Sequence, residues 1–453
     1  MELLSTIIYF LITIGVLVFV HELGHFLAAI SCGMRADVFA LGMGNRVFGW
    51  NKKTGFSFGK LPDDIDLEGN TDYRVSAFPI GGYVKIVGMI DESLDNSFET
   101  NEPQPWEYRA RPIWQRMIVI SAGVIMNIIL AIGIFWGINY AQGEQYWQTN
   151  VIGMIVKDSP AARNGLEVGD KIISINGEKI THWESIQASL YFENFDNDIS
   201  MEIQRDGTEH TIFIPRDSIP DISESTFGIY PDHTEAVIGM VIPGKPAAKA
   251  GLKNNDVIRS INRHKVINQD EVVRIIKSHP LQQVSLDILR NGEEHIVNVT
   301  PSEEGLIGMQ IGSRYNGPIL TVKYGLFESL PKGFNQTVNA TMLFVHSIWQ
   351  LIVGKAEFSK SIGGPVRIAQ MATRSAEMGL LSFLAFMALL SISLAVMNVL
   401  PFPALDGGHL IVLCYEAITR KPLPHIVQIR IQQIGMVILL SFMVFVLYND
   451  IFG

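Results

Sequence analysis

Two histidines and a glutamate, spaced as in a helical metal site, lie inside an apolar stretch near the N-terminus. The stretch LVFVHELGHFLAA covers residues 17–29 and contains His21, Glu22 and His25. In a helix the side chains of residues i and i+4 leave the same face, so both imidazoles can bind one zinc ion. Glu22 projects beside them, where its carboxylate can take a proton from a metal-bound water. The spacing therefore predicts a hydrolytic zinc centre with Glu22 as the general base.

The position of these three ionisable groups in an apolar segment itself needs an explanation. A charged side chain at the centre of a membrane helix costs roughly 2.5–3.5 kcal/mol, and ionisable residues in such helices usually pair or serve a function. The ion pathway of a transporter is one alternative to a hydrolytic site. A transporter, however, usually has more spans and internal membrane repeats.

A third metal ligand is expected from another apolar segment, SLAVMNVLPFPALDGGHLIVL, which covers residues 393–413. Its two prolines break the helix, and a bilayer tolerates such irregular backbone only where it is buried in protein or lines a cavity. Asp406 is the preferred candidate because it is anionic and precedes a glycine pair that permits close approach. His409 is the competing candidate, since it could bind the metal or instead bond a group that supports the ligands. Asn398 reaches the same depth.

Four apolar segments are long enough to cross a membrane. The chain has 453 residues, of which 48% are hydrophobic, and its mean hydropathy is +0.23. A span needs about 20 mostly apolar residues, and the candidates lie at 3–20, 117–138, 380–400 and 429–448. The first lacks the basic start and the small-residue cleavage site of a signal peptide, so we expect it to remain as a span.

Charge and cysteine content narrow the class of protein further. The formal net charge of −10 argues against a nucleic-acid partner, and the two cysteines, Cys32 and Cys414, give no disulfide framework. Lysine and arginine gather before the second apolar segment and between the third and fourth, which places residues 32–116 and 415–430 in the cytoplasm. Both termini and the long segment between the second and third spans would then lie outside.

The long outer segment repeats itself. About half of the positions in VIGMIVKDSPAARNGLEVGDKIISINGEKI (151–180) recur in VIGMVIPGKPAAKAGLKNNDVIRSINRHKV (237–266). The separation is longer than the roughly 20–50 residues of a solenoid unit, which indicates a duplicated domain. The shared pattern resembles bacterial PDZ domains and predicts two α+β PDZ-like domains, at 145–218 and 226–303. Such domains bind a peptide as an added strand, or serve here as rigid spacers.

Two further stretches complete the predicted plan. DYRVSAFPIGGYVKIVGM (72–89) alternates apolar and polar residues around a glycine pair, which predicts a hairpin that either enters the membrane or only packs against the spans. The apolar part of GFNQTVNATMLFVHSIWQLIVG (333–354) is too short for a fifth span, so we expect an amphipathic helix on the outer surface.

HELGH in the first span, N-x-x-P-x-P-x-L-D-G-G-H in the third and the PDZ-like pair between them resemble the site-2 protease family of intramembrane zinc metalloproteases. The resemblance covers essentially the whole chain. It implies that His21, His25 and Asp406 bind zinc, that Glu22 is the general base and that Asn398 positions the substrate. It also implies a positioning role for Gly123 and Asn127 in SAGVIMN, for which ordinary helix packing is an equal alternative. The membrane-associated sheet would hold the substrate along its edge.

The resemblance also implies a substrate class and a location. The substrates would be single-pass membrane proteins already cut on the outer side, such as an anti-sigma factor in an envelope stress response, and remnant signal peptides. The protein would lie in a bacterial inner membrane, with its termini and PDZ-like domains in the periplasm and its active site near the cytoplasmic side. A catalytically silent PDZ scaffold and a zinc transporter are the alternatives.

The expected fold class is a polytopic α-helical membrane protein with four transmembrane helices, a membrane-associated β-hairpin or sheet, and two extracytoplasmic PDZ-like domains. The segments are predicted in this order: the first span at 1–31, a cytoplasmic-side loop with the hairpin at 32–109, the second span at 110–140, the PDZ-like domains at 145–218 and 226–303, an outer region at 304–376, the third span at 377–413, a cytoplasmic loop at 414–428 and the fourth span at 429–450.

Overall fold

The computed structural model divides the chain into two units. It describes residues 2–62, 65, 67–89, 102–193, 197–219, 227–354 and 363–452. The first unit comprises Met1–Gly143 and Lys323–Gly453, and the second comprises Glu144–Val322. The apolar helices belong to the first unit and the internal repeat to the second.

The helices, in chain order, are α1 (Glu2–Ser31), α2 (Ile113–Gln142), α3 (Pro160–Arg163), α4 (Trp183–Ala188), α5 (Pro246–Lys249), α6 (Gln269–Lys277), α7 (Ser329–Val353), α8 (Pro365–Glu377), α9 (Leu380–Val399), α10 (Asp406–Thr419) and α11 (His425–Phe452). The strands are β1 (Ala36–Asn51), β2 (Gly55–Phe58), β3 (Asp72–Ile86), β4 (Glu144–Trp147), β5 (Ile152–Ile155), β6 (Lys171–Ile175), β7 (Glu178–Lys179), β8 (Ile199–Arg205), β9 (Thr208–Ile214), β10 (Ile229–Pro231), β11 (Thr234–Val241), β12 (Val257–Ile261), β13 (His264–Lys265), β14 (Val284–Arg290), β15 (Glu293–Val299), β16 (Met309–Tyr315) and β17 (Ile319–Val322).

Among the residues that the structure describes, four helices are long and apolar enough to cross a membrane, at Leu4–Ser31, Ile113–Gln142, Leu380–Val399 and Ile426–Asp450. They correspond to the four predicted spans, and this part of the predicted fold class is confirmed. The third is shorter than the predicted segment 377–413, because α9 ends at Val399 and a new helix begins at Asp406. Proline ends the helix there, since it lacks an amide proton and its ring clashes with the preceding turn. The predicted loop 414–428 begins as the last part of α10.

A sheet in the order β2-β1-β3 packs against α1. Strands β1 and β3 both bend and pair with each other more than once. Residues 38–41 of β1 pair with residues 72–75 of β3 on one side and with residues 82–85 of β3 on the other. Farther from α1, residues 48–50 pair with 73–75 and also with β2. The hairpin expected at 72–89 is present as the two halves of β3. Within the described residues the second half pairs with β1 alone, which leaves its other side as a sheet edge.

In the first unit, α1, α7, α9 and α10 pack against α2. Ala131 and Phe135 of α2 form a small core with Ala388 and Ile392 of α9, and Ala340 of α7 packs against it. The segment predicted as an amphipathic helix forms α7, which packs against α2. It is not among the four candidate spans.

The second unit contains the two repeats, each with a core of its own. The first repeat forms the sheet β7-β6-β8-β9, and the second forms β15-β14-β12-β11-β16, with β13 beside β12. Each repeat contains a two-residue hairpin turn, a position that Asp-Gly and Asn-Gly sequences favour, at Asp206-Gly207 and Asn291-Gly292. All four turn residues have positive φ, the conformation that a type I′ hairpin requires.

The same ion pair recurs in the two repeats. Arg205 donates to both carboxylate oxygens of Asp170, at 2.7 Å each, and Arg290 donates to Asp256 at 2.7 and 2.6 Å. These hydrogen bonds raise the pKa of Arg205 and of Arg290. Repetition of a buried carboxylate with its arginine supports the duplication inferred from sequence.

The second repeat extends beyond the predicted boundary at residue 303. Strand β16 pairs with β11 along its whole length, and β17 pairs with β4 at the start of the unit. Alignment of the two repeats with each other does not reveal β16 and β17, because both strands lie outside the duplicated motif. Strand β16 becomes the new edge of the sheet of the second repeat, and β17 forms a separate two-stranded sheet with β4.

Candidate metal centre

His21, His25 and Asp406 converge at one point, although Asp406 is far from the histidines in the sequence. The Nε2 atoms of His21 and His25 are 3.2 Å apart. Oδ2 of Asp406 lies 3.2 Å from His21 Nε2 and 3.5 Å from His25 Nε2. Among the described residues these three side chains form the group of histidine, cysteine and carboxylate side chains that could hold a metal ion.

The geometry of this group fits a zinc ion. Zinc bound tetrahedrally at 2.0–2.1 Å holds its ligand atoms about 3.3 Å apart, which agrees with the three separations observed. Oδ2 of Asp406 is buried and has no hydrogen-bond partner. A buried carboxylate oxygen without a donor is costly, and a cation among the three ligand atoms would satisfy it.

Hydrogen bonds to α2 fix the orientation of both imidazoles. Nδ1 of His25 lies 2.8 Å from the carbonyl oxygen of Val119 and donates its proton there, which leaves Nε2 with a free lone pair. The Asn127 amide lies 3.2 Å from Nδ1 of His21. The amide oxygen of Asn127 is buried without a partner, and a half-turn of the amide would let it accept the Nδ1 proton. Such second partners of a ligating histidine set its tautomer.

Gly123 is placed against both imidazoles. A Cβ atom at this position would lie 2.4 Å from Nε2 of His25 and 2.7 Å from Cε1 of His21. Any side chain would therefore displace the rings. Asn398 is also close to the group, with its amide nitrogen 3.4 Å from Nε2 of His21.

A tight turn after the third span positions Asp406 next to His21 and His25. The backbone between α9 and α10 includes Ala404 at φ +73°, an uncommon conformation for a residue with a Cβ atom. A Cβ on Gly407 would lie 2.1 Å from the carbonyl oxygen of Leu400. The glycine pair is therefore required for the close approach that the sequence predicted.

His409, the competing candidate ligand, is placed away from the metal group. Its Nε2 lies 2.9 Å from the side-chain nitrogen of Gln432 in α11. The helical phase explains the difference, because three residues beyond Asp406 the side chain projects toward α11. Nothing in the sequence points to Gln432, which is an ordinary polar residue in an apolar helix.

The metal group opens into a cavity of about 650 Å³. Glu22 lines this cavity beside the histidines, and Asn398 and His409 line it as well. The edge of the sheet, formed by the second half of β3 from Gly81 to Ile86, is another wall of the cavity. A Cβ on Gly82 would lie 3.1 Å from Cγ of Glu22, so the edge strand passes directly beside the predicted general base.

An ion pair joins α2 to α10, the helix that begins with Asp406. Arg116 donates to both carboxylate oxygens of Glu416, at 3.0 and 2.6 Å. The guanidinium lies 5.8 Å from the centre of the Tyr108 ring, and burial raises the pKa of that phenol. Arg116 is one of the basic residues that precede the second apolar segment, and nothing near it in the sequence points to a partner 300 residues away.

Known proteins resemble this chain over nearly its whole length. Residues 9–442 match the sequence profile of peptidase family M50. The chain is 34% identical to the regulator of sigma E protease of Haemophilus influenzae, over 97% of both chains. It is 31% identical to a putative zinc metalloprotease of Pasteurella multocida and 29% identical to the protease RseP of Yersinia pestis, each over 99% of both chains.

Proposed function

Because this chain belongs to peptidase family M50 and is a site-2 type zinc metalloprotease, we propose that it hydrolyses peptide bonds within or beside transmembrane segments of single-pass membrane proteins. The observation that carries the proposal is the convergence of His21, His25 and Asp406 beside Glu22. The first two come from one candidate span and the third from the turn after another. A protease centre in such helices acts on a substrate that enters through the membrane.

Each residue of the centre has a proposed task. His21, His25 and Asp406 hold zinc, which when bound activates water and polarises the scissile carbonyl. Glu22 takes the proton of the attacking water and gives it to the leaving amine. Asn398 donates its amide proton to the substrate backbone. Asn127 and the Val119 carbonyl hold the imidazoles in the ligating tautomer, and Gly123 leaves room for them.

The edge of the sheet is the proposed binding place for the substrate. A transmembrane helix satisfies its backbone hydrogen bonds internally, so a protease must unwind the part that it cuts. The unwound segment can regain hydrogen bonds by pairing with residues 82–86 as an added strand. This strand passes beside Glu22, which would put the scissile bond within reach of the centre.

The relatives suggest the biological setting. Several are named for the regulation of sigma E, so we propose a membrane-anchored anti-sigma factor as a substrate, first cut on the outer side, with remnant signal peptides as a second class. The protein would lie in the bacterial inner membrane. On the distribution of arginine and lysine, residues 32–116 and 415–430 would lie in the cytoplasm, and the termini and the repeats would lie in the periplasm. The repeats would act as PDZ-like domains that bind a new C-terminus or exclude untrimmed substrates by size.

A scaffold and a zinc transporter fit these features less well. A scaffold needs no carboxylate beside the metal group, and the edge strand beside Glu22 has no use in zinc transport. Zinc flux in proteoliposomes would support the transporter, and recruitment of a partner without cleavage would support the scaffold.

Substitution of Glu22 by Gln tests the proposed chemistry. The variant should lose about 10²–10⁴-fold of the cleavage rate, the contribution of a general base, while zinc content measured on the purified protein stays unchanged. Asp406→Ala should lose zinc. His409→Ala, a matched control in the first turn of the same helix, should retain it. Cleavage by Glu22→Gln at the normal rate, or full zinc in Asp406→Ala, would overturn the assignment.

A further inference from the structure

The second half of β3 has two faces that differ in chemistry. Gly82 and Val84 lie on the face toward α1. A Cβ on Gly82 would meet two side chains of α1, at 2.9 and 3.1 Å, and Val84 is buried in a cluster with residues of that helix. Successive side chains of a strand point to opposite faces, so Tyr83 and Lys85 lie on the face away from α1. A substrate strand paired with this edge would alternate in the same way.

Arg74 lies on the face away from α1 as well, separated from Tyr83 by β1. Both residues pair with Ala40, from opposite sides, and residues paired in this way share a face. The side chain of Arg74 crosses the fully buried Ala40, and its guanidinium donates to the Tyr83 hydroxyl, with Cζ 5.4 Å from the centre of the ring. Asp72 and Lys85 occupy the next row of the sheet. We call the set of Asp72, Arg74, Tyr83 and Lys85 the basic face.

Among the described residues, Arg74 is a cation without a carboxylate partner. Asp72 is the acidic residue of the basic face, and Arg46 already donates to both of its oxygens, at 3.0 and 3.2 Å. Nε of Arg74 is buried with no hydrogen-bond partner, and the bond from the guanidinium to Tyr83 goes to an uncharged group. Burying a charge is costly unless it is paired, so this position favours an anionic group.

We propose that Arg74 and Tyr83 bind an acidic side chain of the substrate, so that the protease selects substrates with a glutamate in the segment that pairs with the edge. This inference rests on the proposed function, in which the substrate adds as a strand to residues 82–86. The substrate residue paired with Tyr83 would lie on the basic face, about 14 Å from the backbone of Arg74, which is three strand spacings. Arg74 already extends as far as Tyr83, so the longer glutamate reaches its guanidinium better than aspartate does.

The same face acts against basic side chains of the substrate. An added strand presents every second side chain to Arg74 and Lys85, and like charges on neighbouring strands destabilise the pairing. The side chains in between meet the other face, where Gly82 and Val84 line the cavity of the metal centre. The preference for an acidic residue should therefore be confined to alternate positions of the substrate.

A glutamate scan of a model substrate tests the acidic subsite. Single-pass substrates carry glutamate, or glutamine as the neutral control of the same shape, at each successive position around the cleavage site. Full-length zinc-loaded protein cleaves them in phosphatidylcholine vesicles. At the position paired with Tyr83, kcat/KM should be about ten- to a hundredfold higher for glutamate than for glutamine, as expected of a charge-assisted hydrogen bond. Lysine there should be cleaved more slowly than glutamine, and neighbouring positions should show no gain from glutamate.

Substitution of Arg74 assigns the preference to this side chain. Arg74→Gln and Arg74→Met should each bring the ratio of glutamate to glutamine cleavage close to one, and two variants keep the test valid if one of them does not fold. Arg74→Glu should invert the preference in favour of lysine at the same position. Lys52→Met, which removes an exposed cation from the turn between β1 and β2, is the matched control and should keep the wild-type ratio. Zinc content of each purified variant reports whether the centre is intact.

Binding without cleavage separates this inference from the proposed function. Labelled substrates should bind to Glu22→Gln protein more tightly with glutamate than with glutamine at the same position, measured by fluorescence anisotropy. Equal binding and equal cleavage of the two substrates, or a preference that Arg74→Gln retains, would overturn the acidic subsite while the protease assignment stands. Absence of cleavage by the wild type would overturn the proposed function, whereas the binding preference would still support the subsite. A response to phosphatidylglycerol through Arg74, with none to substrate glutamate, would assign the residue to lipid phosphate and overturn the inference.

Discussion

Small and polar residues of α2 build the surroundings of the two histidines. Gly123 leaves space that both imidazoles occupy, and the Asn127 amide and the Val119 carbonyl contact their Nδ1 atoms. The sequence offered two interpretations of Gly123 and Asn127, substrate positioning and helix packing. The structure adds a third interpretation, in which Gly123 and Asn127 support the two imidazoles that they contact. A ligand set of this kind depends on the partners that orient it as well as on the ligands.

Gly123→Ala is therefore expected to disrupt the metal group. The new methyl group would overlap Nε2 of His25, and overpacking of this kind typically costs about 1–3 kcal/mol or displaces the rings. We expect a large loss of zinc affinity, measured by competition with a chromogenic chelator. Gly133→Ala is the control on the same helix, since its Cβ would meet nothing within 4 Å; it should bind zinc normally. Normal zinc affinity in Gly123→Ala would contradict the steric argument.

At the scale of elements, the centre depends on how α10 is held against α2. The two helices contribute Asp406 and the residues that contact the histidines, and their relative position sets the distances among the proposed zinc ligands. Arg116 and Glu416 bridge them with two hydrogen bonds in a largely buried place. Such a pair fixes geometry more than it adds net stability. We expect the pair to position Asp406.

Charge exchange tests this positioning role. Arg116→Glu and Glu416→Arg each leave two like charges in contact, and breaking a buried pair costs about 3–5 kcal/mol. Each single variant should bind zinc more weakly and cleave more slowly. The double exchange restores opposite charges and should recover both properties in part.

The single and double variants separate positioning from folding. Equal expression of all three proteins with zinc affinity lost only in the singles supports the positioning role. Unchanged zinc affinity in both single variants, or no recovery in the double exchange, would contradict it.

At the scale of the whole molecule, the second unit has the cores of an independent folding unit. Its two clusters of buried apolar residues are drawn entirely from within Glu144–Val322. Its chain begins and ends in the paired strands β4 and β17. We expect the fragment 144–322 to fold by itself and to unfold cooperatively.

The stability of this fragment should fall in alkaline solution. Burial raises the pKa of Tyr191, so the folded state holds the phenol proton more tightly than the unfolded state does. The stabilisation is complete below the unfolded pKa, about 10, and is lost as the pH rises toward the folded value. Urea unfolding followed by circular dichroism between pH 7 and about pH 11 measures the decline.

Tyr191→Phe is the control for this prediction. The hydroxyl accepts a hydrogen bond from the Phe227 amide at 2.9 Å, so the variant should be less stable at pH 7, by about 1 kcal/mol. Its stability should decline less steeply between pH 9 and about pH 11. An identical alkaline slope in both proteins would show that Tyr191 does not titrate with unfolding.

The sequence by itself determined the features that depend on local chemistry. The lengths of the apolar segments predicted the four spans. The i and i+4 spacing placed His21 and His25 on one helix face, and the two prolines indicated the helix break before Asp406. Asp-Gly and Asn-Gly specified the two hairpins, and repetition of a motif revealed the duplicated domain. Each of these follows from rules that act over a few residues, so they can be read without knowing the fold.

Only the tertiary structure decided which distant groups meet. It places Asp406 at the histidines and His409 beside Gln432, joins Arg116 to Glu416, and brings the sheet edge alongside Glu22. It also carries the second repeat past residue 303 into β16. These contacts depend on helix phase, strand register and packing between segments separated by up to hundreds of residues, none of which composition or local spacing specifies.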